Sequence, residues 1–266
     1  MASPTNFYYP GDNFSMGYFS PIFASPYGQP ARAIHQDNYI PMNMIQENGE
    51  EVTITYKGDL RNPNNHSAPI PKSMSTSVFI SELPSSCTIH DVLNEIRGCG
   101  KIWASNLIPP QQNYATAAAK VVFWNREGLE RFLQRWADGN FIVGGRQPKV
   151  VMNDYHSAPK GDSPSSRVLR IAGPSHIVNE TYLRDFFRDK FTFEVDEVIV
   201  LLNEPYVNEN TVEFRFSSYR AQASAAWKWL QAACRGELVQ NPNGGHWSPF
   251  TWVDVRFAWG DDPCAM

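Results

Sequence analysis

Apolar residues alternate with small or polar ones through residues 116–123, T-A-A-A-K-V-V-F. Ala117, Ala119, Val121 and Phe123 fall on one side of an extended chain and Ala118, Lys120 and Val122 on the other, because strand side chains alternate with a period of two. The first side is apolar enough to lie under helices; the second is left to face whatever lies above the sheet. The same period runs through residues 78–84, V-F-I-S-E-L-P, stopped by Pro84, and through residues 102–108, stopped by Pro109 and Pro110. In the latter stretch two parities stay open, Trp103, Ser105 and Leu107 against Ile102, Ala104 and Asn106. Between these strands the period lengthens. Thr88, with Asp91 three residues on, reads as a helix N-cap, followed by Ile89, Val92, Leu93 and Ile96 on one face and a stop at Gly98 or Gly100. Asn125 caps a second helix whose Leu129, Phe132, Leu133 and Trp136 recur at i, i+3, i+4 and i+7, ended by Asp138-Gly139. Gly144-Gly145-Arg146 then turns the chain into a strand over residues 149–152. The order β-α-β-β-α-β predicts a four-stranded antiparallel sheet with two helices on one face.

The order recurs. Residues 168–171 form a strand ended by Gly173-Pro174, and Asn179 caps a helix carrying Leu183, Phe186 and Phe187. Strands follow over residues 195–202 and 211–216, then an Ala- and Trp-rich helix over 221–234 and a last strand over 252–259. A repeated unit points to tandem copies of one fold. The expected class is therefore α+β, two ferredoxin-like domains over residues 75–156 and 166–262 joined by a linker at 157–165. Residues 1–74 carry neither period. Their aromatics, from Phe7 to Tyr27, are scattered among Ser, Pro, Gly and Asn, the composition of a disordered polar-aromatic tail. Within it residues 51–56, E-V-T-I-T-Y, alternate like a short strand that would add to a sheet edge.

Charge narrows the function. A net charge of -4 over 266 residues argues against a strong, non-specific polyanion binder. Residues 75–160 hold 9 Lys+Arg against 7 Asp+Glu, whereas residues 161–266 hold 10 against 14, so only the middle of the chain is mildly basic. Cys87, Cys99, Cys234 and Cys264 form no C-x-x-C pair and read as reduced thiols of an intracellular protein, nuclear or cytoplasmic. No apolar run approaches the ~18 residues that span a membrane. The six histidines are scattered, without metal-ligand spacing, and there is no P-loop or dinucleotide fingerprint, so no enzyme, metal or cofactor is expected. The acid pairs Asp196-Glu197 and Asp261-Asp262 read as solvated loop or strand-end charges.

Residues 78–83 and 116–123 resemble the two signature strands of the RNA recognition motif (RRM). V-F-I-S-E-L is similar to the family's hexamer, with the aromatic Phe79 at its second position. The family's octamer reads K/R-G-F/Y-G/A-F-V-x-F/Y. Here Ala119, Val121 and Phe123 keep the buried positions, both stacking positions are changed, to Ala118 and Lys120, and the leading basic residue is Thr116. The Gly145-Arg146 turn is also similar. The likeness covers residues 75–156 well and 166–260 weakly. Family members stack single-stranded bases on sheet aromatics, each worth roughly 1–3 kcal/mol. The resemblance thus implies a non-catalytic protein that contacts single-stranded RNA weakly through its first sheet. Phe79 would be the remaining platform, Lys120 and Arg146 would meet phosphates, and Trp103, Tyr114 or Trp124 would stack from the second strand and loop margins. In the second unit Val168, Arg170, Thr211, Glu213 and Arg215 face outward, leaving no platform, so protein partners, or a clamp packing on the first unit, are expected there. The alternative for the whole chain is a protein-interaction adaptor without RNA.

Overall fold

The computed structural model describes residues 42–45, 51–54, 66–111, 114–204, 208–237 and 252–266. Two short strands, β1 (Met42–Ile45) and β2 (Glu51–Ile54), pair antiparallel with each other as a sheet of their own. Residues 51–54 therefore extend no larger sheet, correcting the expected edge addition; the rest of the 1–65 tail, with Phe7 to Tyr27, lies outside the described residues.

The first unit comprises β3 (Ser77–Leu83), α1 (Ile89–Glu95), β4 (Ile102–Ile108), β5 (Ala117–Phe123), α2 (Arg126–Ala137) and β6 (Lys149–Met152). The second repeats the order with β7 (Val168–Pro174), α3 (Glu180–Arg188), β8 (Val195–Glu204), β9 (Glu209–Phe216), α4 (Ser224–Cys234) and β10 (Arg256–Trp259). The sheets run β4-β5-β3-β6 and β10-β7-β9-β8, the same arrangement read from opposite edges, with all neighbours antiparallel. The helices start where caps supply an acceptor for a free backbone N–H: Thr88 for Asp91, Asn125 for Gly128 and Asn179 for Tyr182. Asp91 answers Thr88 by accepting its backbone N–H, closing a capping box.

Each unit has its own core. Val78, Ile80, Ala119, Val121 and Phe123 lie with Leu93, Leu129 and Phe132 in the first. Leu169, Ile171, Phe214 and Phe216 lie with Phe186, Phe187, Leu230 and Trp252 in the second. Three expectations change here. The last strand begins at Arg256, because Trp252 to Val255 form a turn whose Trp252 side chain is sealed in the core. The last helix begins at Ser224, because Ala221 takes a left-handed conformation (φ 60°) and breaks any helix there. Residues 66–74, counted with the tail, lie along the first unit: Ala68 N–H donates to the His156 carbonyl and Lys72 pairs with Asp154 at 2.9 Å.

The two units are joined through buried polar chemistry. The Arg167 guanidinium, fully buried, donates to Asp262 Oδ1 (2.9 Å), Asp196 Oδ2 (2.8 Å) and the Phe216 carbonyl. Both acids reach onward into the first unit. Asp262 Oδ2 accepts the Ile102 N–H at 2.8 Å, and Asp196 Oδ1 is hydrogen-bonded to His90 Nδ1 at 2.7 Å. Burial works against the charge on Arg167, but the field of Asp262, the Cys264 sulfur and Asp196 outweighs it and holds the guanidinium above its ordinary value. Asp196 and Asp262 are thus buried bridges between units, not solvated charges. Cys264 sits in the first unit's core although it follows the second unit's last strand. Ser218 closes the outer edge of β4, accepting the Ser105 N–H and donating to the Ser105 carbonyl.

The connecting segment is also fastened. Ser157 accepts the Thr76 N–H, the Lys160 N–H donates to the Trp124 carbonyl, the Trp124 indole donates to the Gly161 carbonyl, and Lys101 Nζ donates to the Ser163 carbonyl. Residues 157–163 therefore run along the end of the first sheet as a strap.

Candidate nucleic-acid interface

The helices cover one face of the first sheet and leave the other uncovered. In β3, Val78 and Ile80 are fully buried in the core, so Phe79 points the opposite way; it is partly exposed and outside either core. Its direct register partners are Lys120 on β5 and Val151 on β6. Lys120 lies between the buried Ala119 and Val121, and its other cross-strand neighbour is the exposed Asn106 of β4. The open face thus presents one ring, one ammonium and one carboxamide side by side, with partly exposed Ala118 further along β5.

Strand β4 carries a register shift between Ile102 and Ala104, with Trp103 as the extra residue. The parity left open by the sequence is therefore both at once: Ile102 faces the core before the bulge, Leu107 after it. Trp103 swings into an aromatic seam between the units, 5.0 Å from Trp124 and 5.0 Å from Tyr219. Tyr219 continues the seam to Trp259, which stacks on Trp227 at 4.3 Å and 10°.

Of the residues named from the sequence, Phe79 and Lys120 are neighbours on the open face. Tyr114 is 70% exposed beyond the start of β5, bridged to Gln111, and Arg146 is exposed in the turn before β6. Trp124 is 5% exposed with its indole N–H spent on Gly161, so it offers no surface to a base. Trp103 is partly covered by Trp124, Tyr219 and the Lys160 ammonium, which sits 4.9 Å from its ring. Both tryptophans hold the units and strap together, because packing rings between sheets removes far more apolar surface from water than a strand margin would.

Residues that sequence reasoning missed cluster beside Lys120. Lys120 Nζ lies 5.5 Å from the ring of exposed Tyr155. Burial, and then the charge of Arg220, pull the Lys120 ammonium below the ordinary lysine range, and the same two causes act on Lys160. Arg220 comes from the second unit, one residue after Tyr219. No periodicity could reveal that influence; it depends on how the units are docked.

The second unit's open face is occupied by its own charges. Glu213, 3% exposed, accepts from Arg170 (2.9 Å) and from Arg215, which also pairs with Glu197 at 2.7 Å. No aromatic joins this ladder in β7 or β9. Among the described residues no group of three or more His, Cys, Asp or Glu could hold a metal, and no helix is long and apolar enough to cross a membrane.

A four-stranded antiparallel sheet, two helices on one face and an outward ring at Phe79 are the arrangement that the signature strands imply. Both units are RRM-like in fold. No family model and no curated protein matches the chain. Among solved structures it is similar to a Sxl-Lethal protein/RNA complex, at 16% identity over 70% of this chain and 99% of that one, with a TM-score of 0.25. It is also similar to the first two RRM domains of the yeast poly(U)-binding protein, at 14% identity, 70% and 99% coverage and a TM-score of 0.25. The N-terminal three RNA-binding domains of a yeast splicing factor give 13% identity, 70% and 64% coverage and a TM-score of 0.29. At these values the likenesses carry nothing further; the RRM-like description rests on strand order, register and the direction of Phe79.

Proposed function

We propose that this is a non-catalytic RNA-binding protein that holds single-stranded RNA weakly on the open face of its first RRM-like sheet. The observation that supports this most is the Phe79–Lys120 pair. A partly exposed ring that belongs to neither core stands directly across from an ammonium, which suits one stacked base and one adjoining phosphate. Asn106 beside Lys120 supplies a donor and an acceptor for a base edge. With one ring in place of three, binding is weak and salt-sensitive. The test is titration of the full chain with a labelled random single-stranded RNA pool at two salt concentrations. Phe79→Ala should weaken binding about 5- to 150-fold, the equivalent of one lost stacking contact. Binding indifferent to Phe79→Ala, or absent at low salt, removes the reading.

A second reading, a protein-contact role for the second unit, is favoured by one feature. Val200, Leu201 and Leu202 are about half exposed at 55%, 49% and 47%, consecutive on β8, which is the edge of its sheet. An edge strand with exposed aliphatics invites an added strand from another polypeptide. Crosslinked complexes that survive nuclease and are lost in Leu201→Lys would support it; complexes that disappear with nuclease would count against it.

A further inference from the structure

The chain that leaves β6 stays on the first sheet. The Asn153 N–H donates to the Ser77 carbonyl (3.0 Å), the Thr76 N–H to the Ser157 carbonyl (2.9 Å) and the Lys160 N–H to the Trp124 carbonyl (2.8 Å). Residues 153–160 thus cross the end of the sheet from β6, past the start of β3, to the end of β5. One ring on that crossing belongs to neither core: Tyr155 is 60% exposed, and its centroid lies 5.5 Å from Lys120 Nζ. We propose that Tyr155 is a second base platform, so that Phe79, Lys120 and Tyr155 seat two consecutive nucleotides of single-stranded RNA. This assignment rests on the RNA reading above and adds the ring that β5 lacks.

Tyr155 is held through its backbone from both sides. Its N–H donates to Asn153 Oδ1 at 3.0 Å, an Asx turn that bends the chain directly after β6. On the other side the His156 N–H donates to Ser67 Oγ (2.8 Å), His156 Nδ1 is hydrogen-bonded to the Ile70 carbonyl (2.9 Å), and the Ser157 N–H donates to Ser75 Oγ (3.2 Å). Residues 66–75 lie outside the four strands and therefore act as a clip on the segment that carries the ring. A platform fixed in this way gives up little freedom when it meets a base, so more of the stacking energy reaches the affinity.

Lys120 adjoins both rings. Phe79 is its cross-strand partner, and its ammonium lies over the ring of Tyr155 within the range of a cation–π contact. Consecutive bases are joined by one phosphodiester, so ring, ammonium and ring match base, phosphate and base. Ala118 and Lys120 hold no ring where the signature strand would carry two, and the crossing segment brings one back from outside the sheet. The other rings near this end, Trp103 and Trp124, are turned into the seam between the units, whereas Tyr155 is left to the solvent.

The full chain should be titrated with a labelled random single-stranded RNA 12-mer across a salt series, read by fluorescence anisotropy. Tyr155→Leu is expected to weaken binding about 5- to 150-fold, the loss of one stacked base, while Tyr155→Phe keeps the affinity. Because no charge is removed, Tyr155→Leu should leave the slope of log K against log salt unchanged. Lys120→Gln should instead flatten that slope by about 0.7, one released counterion on a single strand. Tyr155→Leu should melt with the wild type, since the ring lies outside both cores. A 12-mer carrying 5-iodouridine should crosslink to Tyr155 and to Phe79 under ultraviolet light, with the sites located by mass spectrometry. If Phe79→Ala weakens RNA while Tyr155→Leu leaves the affinity unchanged, the second platform is overturned and the RNA reading stands. If Tyr155→Leu weakens RNA while Phe79→Ala does not, the Tyr155 platform stands and the reading centred on Phe79 falls. A wild-type chain that binds no RNA at low salt overturns both.

Discussion

Phe79 and Lys120 face each other across neighbouring antiparallel strands, and between them they hold the ring and the charge at the centre of the first sheet's open face. Next to them Ala118 is partly exposed on the same face of β5 and carries no ring. Ala118→Phe should supply the missing platform and tighten single-stranded RNA by about 5- to 150-fold, the value of one stacked base. Fluorescence anisotropy with a labelled 12-mer checks this, and unchanged affinity in a folded variant argues that bases do not pass over β5.

Lys120 should cost the free protein stability while serving its ligand. Its ammonium is held below the ordinary lysine range by burial and then by Arg220. The unfolded chain therefore binds this proton more readily than the folded one, and the penalty is fully present at neutral pH, where Lys120 is charged in both states. It fades as the pH rises through the folded value toward the unfolded one. Lys120→Met is expected to raise the urea midpoint at pH 7, by a margin that shrinks toward pH 10.5, and to weaken RNA. A variant that loses stability at pH 7 would mean that the ammonium is compensated in the free protein.

Arg167 should be among the costliest residues to replace. Arg167→Met leaves Asp196 and Asp262 buried without their cation, and breaking a buried pair costs roughly 3–5 kcal/mol. Because those acids also hold His90 and the Ile102 N–H, the wild-type units should unfold in one urea transition, with tryptophan fluorescence and circular dichroism coincident. Two separate wild-type transitions would show that the seam contributes little.

The four cysteines should be silent in the native protein. All are free and buried. Burial, then the Asp91 charge, pushes Cys87 up to about 11, and burial pushes Cys234 up to about 12. At pH 8 roughly one Cys87 in a thousand is then a thiolate, the reactive form. Ellman's reagent should titrate four thiols only after denaturant is added; a rapid thiol in native buffer would place one at the surface.

Much of the fold was legible because its signals are local. The caps at Thr88, Asn125 and Asn179 and the alternation in β3 and β5 depend on residues within four positions of each other, so they place the elements and aim Phe79 outward. The rest depends on docking. Asp196 and Asp262 read as surface charges because their partner Arg167 lies 29 and 95 residues away. Trp103 could not be aimed, since a bulge inverts strand parity without changing composition. Ala221 lies in an Ala-rich run whose helical propensity is overridden by the packing of Tyr219.

The strap and the buried Arg167 bridge change what a second unit is worth. Were residues 157–165 a loose tether, every approach of the second unit to the first would be diluted by the volume the tether sweeps, and that freedom would be lost when ligand bound. Here that loss of conformational entropy occurs during folding, before a ligand arrives. The orientation of the second unit against the first is thus already set in the free protein, with Tyr219 held between Trp103 and Trp124.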